Sequence, residues 1–144
     1  MSIERFCIHQ VVTIDPSATV STAATRMATE NVGALVVVDD RKPVGIVTDR
    51  DLVLRVLAKN RLAAETEVRT VMTPNPVCVN ADAPLEGAIS RMKVNRFRRL
   101  VVVNDQQEVV GIVALDDIIE LVAEARRALE GITDVMQAVR HEPL

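Results

Sequence analysis

Gly45-Ile46-Val47-Thr48-Asp49-Arg50-Asp51 has a near-copy later in the chain, Gly111-Ile112-Val113-Ala114-Leu115-Asp116-Asp117. Each reads as the end of a buried strand running straight into a helix. Glycine enters, two β-branched residues fill the strand, and an acidic cluster opens the helix. Such a junction gathers unpaired backbone N–H groups and a partial positive charge. Thr48 and Asp51 stand three residues apart, about one helical turn. The spacing fits a capping box, with Asp51 in place of the usual Glu or Gln. It fits equally a grip on a sugar, because a carboxylate accepts two hydrogen bonds from a vicinal diol.

The two motifs sit at the same place in a larger repeat. With residue 12 laid on residue 77, Val12-Thr13-Ile14 matches Val77-Cys78-Val79, Arg26-Met27 matches Arg91-Met92, and Leu35 to Val38 matches Leu100 to Val103. The offset is 65 residues to that point and 66 at Gly45/Gly111, because the turn Asn104 to Glu108 carries one extra residue. Two copies are too few for a solenoid and predict a pseudo-two-fold pair, each covering the other's exposed face.

Each copy predicts the same order of elements. In the first, a strand at 11–14 leads through the turn Asp15-Pro16-Ser17 into a helix at about 19–29. Val20, Ala23, Ala24, Met27 and Ala28 form its apolar stripe. Asn31 to Gly33 ends the helix. The apolar run Ala34 to Val38 is a strand covered on both faces, and a polar turn returns the chain along Val44 to Thr48. A second helix spans Asp49 to about Ala58, with Leu52, Val53, Val56 and Leu57 inward. The second copy predicts strands at 76–79, 99–103 and 108–113, a helix at 84–94 and another from Leu115. The class is α+β, a β-α-β-β-α unit in each repeat, with helices over one face of a small sheet. A three-stranded unit with a bare face is marginal alone, so the two units pack together.

Beyond the repeat the last helix continues. Ile118, Val122, Ala125, Leu129, Ile132, Met136 and Val139 step by 4, 3, 4, 3, 4 and 3, a heptad seam. Gly131 lies within it and either costs about 1 kcal/mol against alanine or ends one helix and starts another. The seam folds back on the chain's own core or meets a second copy; the pattern allows both.

Composition excludes several functions. The 144 residues carry a formal charge of −3, so nucleic acid is not attracted globally, and only Phe6 and Phe97 are aromatic. Apolar runs are of strand length, which argues against a membrane span, and Met-Ser-Ile-Glu-Arg shows no signal-peptide pattern. Cys7 and Cys78 make no disulfide framework, which points to a reducing cytoplasm, and with His9 and His141 they lack metal-ligand spacing. Asp49/Asp51 and Asp116/Asp117 are paired carboxylates at helix starts, where acidic residues are favoured anyway. There is no Walker or Rossmann glycine loop, so an enzyme is not expected. Asn95-Arg96-Phe97-Arg98-Arg99 is a basic cluster at a helix-to-strand junction. It reads either as a solvated charged face or as a phosphate grip, since guanidinium donors form a rigid fork. Its counterpart Asn31-Val32-Gly33-Ala34 has no positive charge, and that asymmetry favours the phosphate grip.

The repeat, with its Gly-β-β-Thr-x-x-Asp ending and the opening Met72-Thr73-Pro74-Asn75-Pro76-Val77, resembles the CBS domain, named after cystathionine β-synthase. Here it resembles a tandem pair, or Bateman module, over residues 7–58 and 71–126, with 59–70 as a linker and 127–144 as a C-terminal helical extension. The resemblance implies a pseudo-two-fold pair and often a disc-shaped homodimer. It implies clefts for AMP, ADP or ATP, and in some members NAD or S-adenosylmethionine. The motif Asp holds the ribose hydroxyls, the Thr bonds ribose or phosphate, and aliphatic residues flank the base.

Carried over on that resemblance, the first cleft comprises Ile46, Thr48, Asp51, Arg69, Val77 and Arg98. The second comprises Val12, Val32, Gly33, Arg99, Ile112 and Asp117, and is weaker because Ala114 replaces the hydroxyl residue; a lost hydrogen bond costs about 0.5–1.5 kcal/mol. The resemblance thus implies a stand-alone regulatory module that needs no cofactor for chemistry, binds an adenine nucleotide, and signals through dimer geometry or an effector protein. The alternative is a ligand-free dimerisation or protein-interaction module.

Overall fold

The computed structural model describes residues 2–6 and 11–140, and Cys7, His9 and His141 lie outside them. In the first copy β1 (Thr13–Ile14) leads to α1 (Val20–Glu30), β2 (Ala34–Asp39), β3 (Lys42–Thr48) and α2 (Asp49–Leu52), which continues as a π-helical turn at Val53–Leu57. Then follow β4 (Thr73–Pro74), β5 (Cys78–Asn80), α3 (Leu85–Asn95), β6 (Arg99–Val103), β7 (Val109–Ala114) and α4 (Leu115–Arg140). The first sheet has the order β1-β2-β3-β4 and the second β5-β6-β7. In each, the opening strand runs parallel to the central one and the hairpin is antiparallel.

The apolar strands are covered on both sides, as their composition predicts. Leu35, Val37 and Val47 face α1 and α2 with Ile14, Val20, Met27 and Leu52; Leu100, Val102 and Val113 face α3 and α4 with Ala88, Met92 and Ile118. The alternate residues Val36, Val38 and Ile46 meet Val101, Val103 and Ile112, so the two sheets pack face to face. Arg26 and Arg91, matched in the repeat, make the same bond: each guanidinium donates to its opening strand, to the carbonyls of Thr13 (2.6 Å) and Cys78 (2.7 Å). Each first helix stops on a left-handed residue, Asn31 (φ 53°) and Arg96 (φ 57°).

Three expectations change. Ala24 and Ala28 are exposed, so the buried stripe of α1 is Val20, Ala23 and Met27. Val53 and Leu57 are 52% and 66% exposed, because the i→i+5 turn (Ala58 N–H to Val53 carbonyl, 2.9 Å) ends the 3.6-residue period on which the inward stripe depends. Gly131 breaks nothing: α4 is one helix of 26 residues. Of its seam only Ile118 enters the core, and every residue from 124 to 139 is exposed.

The segment leading into each repeat docks on the other repeat. Ile3 is fully buried in the second core and its N–H donates to the Ala83 carbonyl at 2.8 Å. Its counterpart Val68 is fully buried in the first core and donates to the Ala18 carbonyl at 2.8 Å. The bridges Ser2↔Pro84 and Thr19↔Glu67 repeat the correspondence. Within the stretch 59–70, expected as a linker, most residues are exposed, and Val68 with Ala63 packs against the first core. Immediately after it, β4 pairs with β3, Gly45 opposite Pro74. That close approach explains the glycine: a Cβ there would overlap Met72 Sδ and lie 3.0 Å from the Thr73 carbonyl oxygen.

Candidate functional site

The end of β3, β4, the entry to β5 and the α3–β6 junction enclose one cavity. Its walls are Ile46, Thr48 and Asp51 from the first repeat, and Thr73, Pro76, Val77, Phe97, Arg98 and Arg99 from the entry and body of the second. Of the six residues expected in the first cleft, it brings together Ile46, Thr48, Asp51, Val77 and Arg98. Arg69 is not among them. Its guanidinium pairs with Glu67 at 2.8 Å, and its N–H bonds to the Pro16 carbonyl at 3.0 Å, which holds it beside the turn before α1.

Thr48 and Asp51 do form a capping box. The Thr48 hydroxyl accepts from the Asp51 N–H at 3.1 Å, and Asp51 Oδ2 accepts from the Thr48 N–H at 2.9 Å. The box positions the carboxylate rather than consuming it. Four acceptor sites are available on a carboxylate and this bond uses one. Arg55 approaches Oδ1 at 3.8 Å while donating to the Val71 carbonyl at 2.8 Å, so it braces Asp51 from behind. The Asp51 side chain is 17% exposed. Capping and ligand binding are thus compatible.

Arg98 and Arg99 supply positive charge on the facing wall. Arg98 Nη2 donates to Asp116 Oδ1 at 2.9 Å, and the Arg98 carbonyl accepts from the Leu115 N–H at 2.8 Å. Arg99 was expected in the second cleft and lines this one instead. As the first residue of β6 it shares the inward face with Val101, two residues on, which meets the other sheet. The period of two was the signal that places it. Phe97, Thr73 and Pro76 were also unassigned in the sequence. Phe97 is one of two aromatic residues in the chain, and Thr73 enters only through the short β3–β4 pairing, which no sequence pattern announces.

The arrangement can hold a flat apolar group among Ile46, Pro76, Val77 and Phe97, a polyhydroxyl group at Asp51 and Thr48, and an anion at Arg98 and Arg99. The cavity is about 170 Å³. That is below the ~300–1,000 Å³ common for small-molecule sites, so a ligand with several phosphates would extend beyond its walls.

Of the second set, Val12 and Val32 pack against the first core, and Ile112 lies in the inter-sheet core. Gly33 accepts the Asp49 N–H at 3.0 Å, and Asp117 is half-buried in the first turn of α4. Ala114 has no oxygen to cap that turn. Cys78 is half-buried at the sheet interface; its thiol donates to the Pro76 carbonyl at 3.4 Å, and burial pushes it above its ordinary pKa. Among the described residues no group of three or more His, Cys, Asp or Glu side chains could hold a metal ion, and no helix is long and apolar enough to cross a membrane.

The CBS domain family matches residues 3–58 and again 68–124. The chain is similar to the CBS domain-containing protein YhcV of Bacillus subtilis, 42% identical over 117 residues, 81% of this chain and 82% of that protein. Other curated relatives are longer, and the chain spans 62% of one and 23% of another. Among solved structures it resembles a conserved CBS domain protein of Thermoplasma acidophilum at TM-score 0.75 and 28% identity, over 99% of this chain and 78% of that one. It also resembles a CBS domain protein from Pyrobaculum aerophilum complexed with AMP, at TM-score 0.73 and 26% identity, over 81% of this chain and 89% of that one.

Proposed function

The chain belongs to the CBS-domain family, as a tandem pair of repeats, and from that premise we propose that it binds an adenine nucleotide in the cavity between the repeats and acts as a regulatory module rather than an enzyme. The observation that carries this reading is the meeting, around one cavity, of a braced carboxylate with spare acceptor sites, apolar walls and two arginine residues. Asp51 takes the ribose hydroxyls, Thr48 the ribose or phosphate, Ile46 and Val77 flank the base, and Arg98 with Arg99 holds phosphate. The AMP complex of the Pyrobaculum relative supports this ligand class. AMP, ADP and ATP are the first choices, and NAD and S-adenosylmethionine share the same nucleoside. The second set, Val12, Val32, Gly33, Ile112 and Asp117, gives a weaker site, since Ala114 stands for Thr48 and Gly33 for Arg98.

Output passes through a homodimer or an effector protein, in the cytoplasm. Supporting a dimer are the exposed apolar residues Val53, Leu54 and Leu57 beside α2 and Leu129, Ile132, Val135 and Met136 on α4. The same surface favours a second reading, a dimerisation module that takes no ligand. Calorimetry of the protein with AMP, ADP, ATP, NAD and S-adenosylmethionine, alongside thermal shift, separates the two. A ligand at a hundred times its dissociation constant stabilises by about 2.7 kcal/mol, several degrees for a chain of this size. Binding by one or more nucleotides sustains the sensor. No heat and no shift with any of them leaves the dimerisation module.

A further inference from the structure

Arg98 lines the cavity, and its guanidinium Nη2 donates to Asp116 Oδ1 at 2.9 Å. Asp116 itself is not part of the cavity wall. The fold does not require this pair. In the first repeat the position matching Arg98 is Gly33, and the position matching Asp116 is Arg50. The backbone link at that junction survives without it, because the Asp49 N–H reaches the Gly33 carbonyl at 3.0 Å, as the Leu115 N–H reaches the Arg98 carbonyl at 2.8 Å. An ion pair present in only one repeat, and only where the cavity carries cationic side chains, is tied to the cavity rather than to helix capping. The pair is also easily exchanged, since the side chains of Arg98 and Asp116 are 71% and 75% exposed.

We propose that Asp116 is a specificity-determining residue for the ligand's phosphate: it holds Arg98 in the unliganded protein, and a phosphate group must displace it to gain the guanidinium. This deepens the nucleotide reading above and rests on it. Asp116 then lowers the cavity's preference for phosphorylated over unphosphorylated ligand and has no effect on the nucleoside part. The exchange also couples phosphate binding to the first turn of α4, where Asp116 sits.

The test is a cycle of dissociation constants for AMP and adenosine, measured by calorimetry at one ionic strength, in the unaltered protein, Asp116→Asn, Arg98→Gln and the double variant. Asp116→Asn should tighten AMP about two- to fivefold, the size an exposed ion pair supports, and leave adenosine unchanged. In the Arg98→Gln background the same change should do nothing. Asp116→Ser repeats the comparison with a different side chain, and circular dichroism verifies the fold of each variant. An unchanged AMP-to-adenosine ratio in both Asp116 variants overturns the inference. So does an equal gain with Arg98→Gln present, because Asp116 would then act by through-space repulsion and not by holding Arg98. AMP binding without the Asp116 effect overturns the inference alone. Failure of AMP and adenosine to bind overturns the nucleotide reading and this inference with it.

Discussion

Replacing Asp51 by alanine removes the capping bond that the structure shows and, with it, the ligand contact proposed above. The carboxylate closes the capping box on the Thr48 N–H at 2.9 Å. Loss of a cap typically costs about 1 kcal/mol, which lowers Tm by about 2–4 °C for a chain of this length. The second role, the one proposed above, is acceptance of two hydroxyl hydrogen bonds from the ligand by a charged group that is 17% exposed. Hydrogen bonds to charged groups are worth about 1.5–3 kcal/mol each, so at least about 2 kcal/mol of nucleotide affinity, about thirtyfold, should be lost. Asp51→Asn divides the effects. Its amide oxygen can still accept from Thr48, so Tm should stay within about 2 °C, whereas AMP affinity should fall about tenfold through lost charge and one lost acceptor. Both quantities come from one sample set by scanning and titration calorimetry. Full AMP affinity in Asp51→Asn would refute the diol assignment, and an unchanged Tm in Asp51→Ala would refute the capping energetics.

Gly45→Ala should destabilise by about 1–3 kcal/mol, because the Thr73 carbonyl 3.0 Å from the new methyl cannot swing aside as a side chain can; an unaltered denaturation midpoint would contradict this. Cys78 should resist alkylation in the folded protein at pH 8, since burial holds its thiol protonated, and peptide-resolved mass spectrometry after iodoacetamide with and without denaturant reads the difference. The Asp15 carboxylate is held below its ordinary value, first by the Ser17 hydroxyl and then by the Ser17 N–H. A group depressed on folding contributes above its unfolded pKa and loses that contribution as pH falls through the lower folded value. Asp15→Ala should therefore cost more stability at pH 6 than at pH 2.5, and equal costs would defeat the argument. Leu129→Glu with Ile132→Glu, at sites 63% and 56% exposed, should leave the fold intact and weaken self-association in sedimentation velocity; a dimer that persists at the same concentration would remove α4 from the interface.

The repeat was legible because its two copies match position by position and their central strands are continuous apolar runs. Leu35 to Val38 and Leu100 to Val103 could be read as strands without any tertiary knowledge. Thr48 and Asp51 were legible as a pair from their spacing at a matched strand-to-helix junction, whereas Ile46, Val77 and Arg98 were assigned to the cleft by the resemblance to the CBS domain. Arg69 was misplaced since its direction depends on where a short 3₁₀ turn docks, and that is set by Val68 entering a distant core. Val53 and Leu57 were misread because a π turn leaves no local compositional mark. Ile3 was invisible for a similar reason. One buried residue in a non-periodic stretch has no pattern, and only its equivalence with Val68 reveals the role.

The exchange of leading segments displaces cause from effect along the chain. A lesion ahead of the first repeat, such as Ile3→Asp, would loosen α3 and the second sheet while leaving the neighbouring α1 well protected from hydrogen exchange. Cutting the chain before residue 67 would do the reverse: it would strip Val68 from the first core and bare the β3 edge that β4 covers, an open strand edge suited to pairing with another molecule. Each repeat's core thus includes a residue from the segment that leads into the other repeat. A gene fragment encoding either half alone would yield a sticky, incomplete sheet rather than a small domain.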